Sequence, residues 1–128
     1  MTGYFAHIEE ETIKNNNFRQ VLYTGKFSQL VVMSLLPGEE IGEEVHDHVD
    51  QFFRFEVGEG KAILAGEEIL FAADDVVIVP AGVKHNIINT SASETLKLYT
   101  IYSPANHPEG TVHATKVEAM AAEEAEHH

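Results

Sequence analysis

The sequence predicts an all-β barrel or sandwich, and three observations carry that expectation. Many short runs rich in Val, Ile, Leu, Phe and Tyr succeed one another, and turn signals built from Gly, Pro, Asp and Asn separate them. Neither a sustained 3.6-residue period nor an alternation of strand and helix patterns runs through the same stretch. An even number of such strands can close on itself and remove exposed edges. At 128 residues the chain fits a single domain.

Taken in order, residues 6–17 place Ile8, Thr12 and Ile13 among acidic and polar neighbours and end at Asn15-Asn16-Asn17. That pattern suits a short helix or an irregular arm, so residues 1–17 are expected as an N-terminal arm. Residues 18–23 and 27–36 read as two strands joined at Thr24-Gly25, the second closed by Pro37-Gly38. Further strands are expected at 41–46, 51–57, 61–64, 67–71, 76–79, 85–89 and 96–102. Their separators are His48-Val49-Asp50, Gly58-Glu59-Gly60, Ala65-Gly66, Asp74-Asp75, Pro80-Ala81-Gly82 and Thr90-Ser91. The barrel thus spans 18–103. The run from Ser103 to Gly110 contains Pro104 and Pro108 and cannot continue a central strand, so the chain is expected to leave the barrel there. Residues 104–128 are expected as a C-terminal extension, helical from Thr115, where Ala, Glu, Lys and Met predominate.

Composition excludes several function classes. A formal charge of −13, with eight Lys and Arg, argues against a nucleic-acid partner, because phosphate binding needs a basic surface. Much of the acidity lies near residues 9–11, 39–44 and 118–126 and reads as solvated surface, with 39–44 set apart by its place just ahead of His46. No apolar run approaches the ~18 to 20 residues that a membrane-spanning helix needs. The N-terminal residues lack a basic region followed by an apolar stretch, so a cytoplasmic protein is expected. Without cysteine, the available metal ligands are imidazole, carboxylate and amide.

Two segments carry candidate chemistry. Alternate residues of a strand share a face, so Glu44 and His46 point the same way, and Gln51, Phe53 and Phe55 can return along the neighbouring strand. His85 comes after the Pro80-Ala81-Gly82 turn, where a bend brings another strand into the barrel. Four oxygen and nitrogen donors with room for water describe an open metal site better than a closed structural one.

These segments resemble the two motifs of the cupin superfamily over residues 38–89. The first motif (Gly, five residues, His-x-His, a gap of three or four, Glu, six residues, Gly) falls on Gly38, Glu44, His46, Gln51 and Gly58. The second (Gly, five residues, Pro-x-Gly, two residues, His, three residues, Asn) falls on Pro80, Gly82, His85 and Asn89, with Asp74 in place of the initial Gly. The second is nearly complete. The first departs at two ligand positions, Glu44 for His and Gln51 for Glu, and His48 is out of register because two residues separate it from Gln51. Carboxylate and amide oxygen can both bind metal.

The resemblance implies a double-stranded β-helix (jelly-roll) barrel holding one divalent ion, Zn, Fe, Mn or Ni, on Glu44, His46, Gln51 and His85, with His48 the alternative to Glu44. The whole sequence also looks like small bacterial cupins labelled mannose-6-phosphate isomerases, including Tyr99-Thr100-Ile101-Tyr102-Ser103-Pro104 and Gly110-Thr111-Val112-His113. That implies a metal-dependent enzyme acting on a small polar molecule, a sugar or a carboxylate, as an isomerase or an iron-dependent dioxygenase. The alternative is a binding or sensor module without catalysis, since fold alone does not fix function. No catalytic residue is assigned. Few Lys and Arg lie near the expected site, so no sugar-phosphate clamp is evident. Phe52, Phe53, Phe55, Tyr99 and Tyr102 are expected in the core or an interface. Arg54 is expected on the face opposite Gln51, and His107 and His113 at the surface, with folding across the barrel mouth as the alternative. A homodimer is expected, through sheet faces or edges.

Overall fold

The computed structural model describes residues 2–126, so the last two residues of the expected C-terminal extension lie outside the described residues. Its elements are α1 (Ile8–Lys14), β1 (Arg19–Thr24), β2 (Gln29–Leu35), β3 (Asp50–Val57), β4 (Glu59–Leu64), β5 (Glu67–Ala72), β6 (Val76–Val79), β7 (His85–Asn89), β8 (Leu96–Ser103), β9 (Val112–His113) and α2 (Lys116–Glu126). Two antiparallel sheets face each other, one ordered β6-β3-β8-β2-β1-β9 and the other β5-β4-β7. This is the expected all-β jelly roll. No helix among the described residues is long and apolar enough to cross a membrane.

Period-two alternation builds the core. Gln51, Phe53 and Phe55 on β3 and Leu96, Leu98, Thr100 and Tyr102 on β8 are buried, while the residues between them are partly exposed. Phe53, Phe55, Leu98, Met33 and Val31 from the large sheet meet Ala62, Phe71 and Ile87 from the small one. The Phe55 and Phe71 rings stack across the barrel at 3.6 Å. Strand β2 is buried on both faces, because α1 lies against the outside of the large sheet and contributes the buried Thr12.

Gly60 has no room for a side chain: a Cβ there would stand 2.2 Å from the Ile88 carbonyl and 2.6 Å from the Phe71 ring. Phe52 and Tyr99 lie on the outer face 6.2 Å apart. Arg54, also outward as expected, pairs with Asp74 at 3.0 Å and Glu56 at 3.4 Å.

Three local expectations differ from the structure. Residues 41–46 form no continuous strand. They touch β7 through isolated bridges, Glu40 to Ile88 and Glu44 to His85, because Gly42 adopts φ +109° and its N–H donates to the Asn86 side chain instead of a ladder. Asp50, read as a turn residue, begins β3. After Ser103 the chain does not leave the barrel for good but returns as β9 beside β1. Fully buried Gln29 explains the return: its amide oxygen accepts from the N–H groups of Asn106 and His107, and its Nε2 donates to the His107 carbonyl.

Candidate functional site

The two motif segments are tied together through the backbone. Glu44 and His85 exchange N–H···O bonds of 2.9 Å in both directions, so their side chains emerge side by side. The Gly82 N–H donates to the His46 carbonyl at 2.8 Å, and the Asp50 carboxylate accepts from the Ala81 N–H at 2.8 Å. Gly82 needs its positive φ of 83° to aim that amide, which is why Pro80-Ala81-Gly82 suits this corner. Asn89, buried, donates through Nδ2 to the carbonyls of Leu35, Leu36 and Glu94, and its oxygen accepts from Ser91 N–H. It braces the barrel rather than entering the site.

All four expected site residues lie at one end of the barrel interior. His46 Nε2 stands 2.9 Å from Glu44 Oε2. That contact is close but not aligned as a hydrogen bond, and His46 Nε2 is buried without a partner among the described residues. The His46 ring lies 5.3 Å from that of His85 and 6.0 Å from that of Tyr102. Gln51, opposite Tyr102 in the β3–β8 register, donates its Nε2 to Thr100 Oγ1 at 3.0 Å, leaving its buried Oε1 without a partner. His85 Nδ1 lies 3.0 Å from the Val83 carbonyl; donation there fixes the tautomer with Nε2 as a free acceptor. His48 is exposed on the turn outside this group, which leaves Glu44 as the residue beside His46.

Electrostatics follow from burial and neighbours. Burial by itself raises the Glu44 pKa, but the adjacent His46 imidazole and the charges of Arg19 and His85 outweigh it and hold the carboxyl below its usual value. Burial lowers the His85 pKa, opposed in part by the Val83 carbonyl. Buried Tyr102 is held in the neutral phenol form by desolvation.

One expectation about the surroundings is corrected. His107 and His113 are not at the surface: both are buried, His107 with Nε2 3.2 Å from the Tyr102 hydroxyl and its ring at 5.1 Å. Desolvation first, then the Arg19 charge, drops the His107 pKa to about 3. Few Lys and Arg lie near the site, as expected, but one buried arginine is felt there. Arg19 is wholly buried, pairs with Glu123 of α2 at 2.9 Å, and acts electrostatically on Glu44, Tyr102 and His107. The alternation of Arg19 with inward Val21 on β1 was its only sequence signal. Phe18 and Leu22 made the opposite face look equally apolar.

A cleft of about 350 Å³ opens onto this group, lined by Glu43, Glu44, Val45, His46, Asn106, His107 and Glu123. Its size suits a small molecule. Among the described residues, no group of three or more His, Asp and Glu side chains stands ready as a metal cage. The donor chemistry nevertheless fits a divalent ion once the Gln51 amide oxygen is counted. Two of the four candidates, His46 Nε2 and Gln51 Oε1, are buried polar atoms without another partner.

Comparison with known proteins gives a consistent picture. The family model described as "Cupin domain" matches residues 31–102. The uncharacterised protein YrkC of Bacillus subtilis is 47% identical over 127 residues, covering 94% of this chain and 68% of that protein. The crystal structure of BH2720 from Bacillus halodurans superposes with a TM-score of 0.90 at 43% identity, covering 92% of this chain and 93% of that one. A Klebsiella pneumoniae protein with a double-stranded β-helix domain shares the fold at 22% identity and a TM-score of 0.67, covering 90% of this chain and all of that one.

Proposed function

The chain belongs to the cupin domain family, and from that membership we propose that it binds one divalent metal ion at the mouth of its barrel and takes a small polar molecule in the adjoining cleft. The observation that carries this reading is the buried, unpartnered Gln51 Oε1 grouped with His46, whose Nε2 stands 2.9 Å from the Glu44 carboxylate, and with the free Nε2 of His85. Nitrogen and oxygen donors of this kind suit Zn, Fe, Mn or Ni and do not select among them.

A bound divalent ion would supply Lewis acidity to a carbonyl or carboxylate oxygen of the ligand. The protein's own residues would do the rest. Glu44, whose carboxyl pKa is held below its usual value, stands beside both imidazoles and, where it is not itself a ligand, is the candidate to accept a proton in an isomerase reaction. Tyr102, kept as a neutral phenol, stands with its hydroxyl 3.2 Å from His107 Nε2. The strap of residues 106–107, pinned by Gln29, forms part of the cleft wall.

A second reading, a binding or sensor module without chemistry, is favoured by the weakened donor set, with the amide of Gln51 where the family motif has a carboxylate. Turnover against a panel of sugars, sugar phosphates and small carboxylates separates the two. Metal analysis of protein purified without added metal tests the common premise. About one equivalent per chain is expected, lost in the His46→Ala plus His85→Ala variant. Metal-free protein, or metal retained by that variant, would sink the proposal. The homodimer remains part of it: Leu70 and Ile78, apolar and outward on the edge strands β5 and β6, support pairing. A monomer by sedimentation at micromolar concentration would count against it.

A further inference from the structure

Thr100 places a hydroxyl in an apolar row of the core. It is wholly buried on the inward face of β8, directly opposite Phe53 of β3 and Val31 of β2. Its Oγ1 accepts from Gln51 Nε2 at 3.0 Å, the one hydrogen bond its side chain makes among the described residues. Valine has the same shape and suits a buried strand as well, so the hydroxyl costs desolvation that only this partner offsets. The bond reaches from the core to a candidate metal ligand.

The register gives that bond a direction. Gln51 stands opposite Tyr102, and Thr100 opposite Phe53, one residue pair deeper in the barrel. The inward residues of β3 beyond Gln51 are Phe53 and Phe55, which offer an amide no partner. With Nε2 drawn inward to Thr100, the other branch of the planar amide, Oε1, is left on the side of the mouth. There the Tyr102 ring lies 6.0 Å from that of His46, and the His46 ring 5.3 Å from that of His85. Gln51 Oε1 is buried and without a partner among the described residues, as an oxygen kept for an ion would be. Turned the other way, the same side chain would present two N–H donors to the imidazoles and could not ligate.

We propose that Thr100 is a positioning residue of the metal site: its hydroxyl holds the Gln51 amide with the carbonyl oxygen turned toward His46 and His85. The role rests on the metal reading and extends it to β8, outside both motif segments, through a residue that does not itself touch the ion. Groups that orient a ligand in this way commonly govern metal affinity about tenfold to a hundredfold.

The full chain, stripped with a chelator, is titrated with Zn²⁺ against a chromophoric competitor. Thr100→Val keeps the shape and removes the acceptor, and should weaken Zn²⁺ binding by about tenfold or more. Thr100→Ser keeps the hydroxyl and should stay within about threefold of the wild type. In a Gln51→Glu background Thr100→Val should cost less than about threefold, because either oxygen of a carboxylate can ligate. A loss as large in that background overturns the proposal. So does a Thr100→Val protein that is less stable to urea but binds Zn²⁺ as the wild type does, which leaves the metal reading standing. A metal-free wild type that also takes up no added Zn²⁺ removes the metal reading and this role together. Should Thr100→Val fail to fold, NMR of the wild-type side-chain amide decides. Nuclear Overhauser contacts from the Gln51 Nε2 protons to Thr100 support the role, and contacts to the His46 or His85 ring protons in their place overturn it.

Discussion

Acid should destabilise this barrel through one histidine in particular. His107 is a buried residue of the strap, and its pKa falls to about 3, first through desolvation and then through the charge of Arg19. In the unfolded chain an imidazole titrates near 6.5. Between those values the unfolded state binds the proton and the folded state does not, so stability rises with pH and is lost as pH falls. Each pH unit inside that window is worth ~1.4 kcal/mol. From pH 7 to pH 4 the window is crossed by roughly 2.5 units, so His107 alone should remove about 3 kcal/mol, a large part of a small domain's stability. Carboxylates such as Glu44, whose folded pKa is lowered, lose their contribution at more acidic pH, as it falls through that depressed value. The variant His107→Gln isolates the histidine: it keeps a polar group beside Tyr102 and cannot take up the proton. Urea unfolding at pH 7 and pH 4 should show the wild type losing about 3 kcal/mol more than the variant over that interval. A difference below about 1 kcal/mol would mean that His107 is hydrated or can turn outward, and the reasoning from burial would fail.

Two further predictions concern the frame that holds the site. Asn89→Ala removes a side chain that satisfies three carbonyls and one N–H, some of them buried, and should cost about 2 to 4 kcal/mol in chemical denaturation; a loss under about 1 kcal/mol would show that water replaces it freely. Gly60→Ala drives a methyl into the Ile88 carbonyl and the Phe71 ring, and should cost at least about 3 kcal/mol or abolish soluble expression, whereas a near-wild-type melting temperature would show that β4 can shift away from β7.

Much of the architecture is decided by local chemistry. Gln51, Phe53 and Phe55 alternate on one face, and so do Leu96, Leu98, Thr100 and Tyr102. With turn residues between such runs, antiparallel sheets are the only way to bury every apolar face at once. The spacing of Pro80, Gly82, His85 and Asn89 is equally local: a corner, a face and a brace within one turn and one short strand. Glu44 and His46 likewise follow from alternation, even though Gly42 keeps their segment from becoming a strand.

What the sequence could not decide are contacts made across long loops. Arg19 meets Glu123 at a separation of 104 residues, and Gln29 meets His107 at 78. The Gln29 contact turns the chain back toward the barrel, the Arg19 contact depends on β9 then lying beside β1, and no local pattern requires that return. A charged residue on a strand is expected to face water unless a partner is supplied from elsewhere, and a histidine in a Pro-rich loop is expected outside. Burial reversed both expectations, because the partner groups became visible only once the two sheets, the strap and α2 were assembled around one cleft. The sequence by itself therefore determined the all-β fold and grouped the candidate donors Glu44, His46, Gln51 and His85. Only the tertiary structure decided which charges surround them, since the energy of a buried charge is set by neighbours that are distant in the chain.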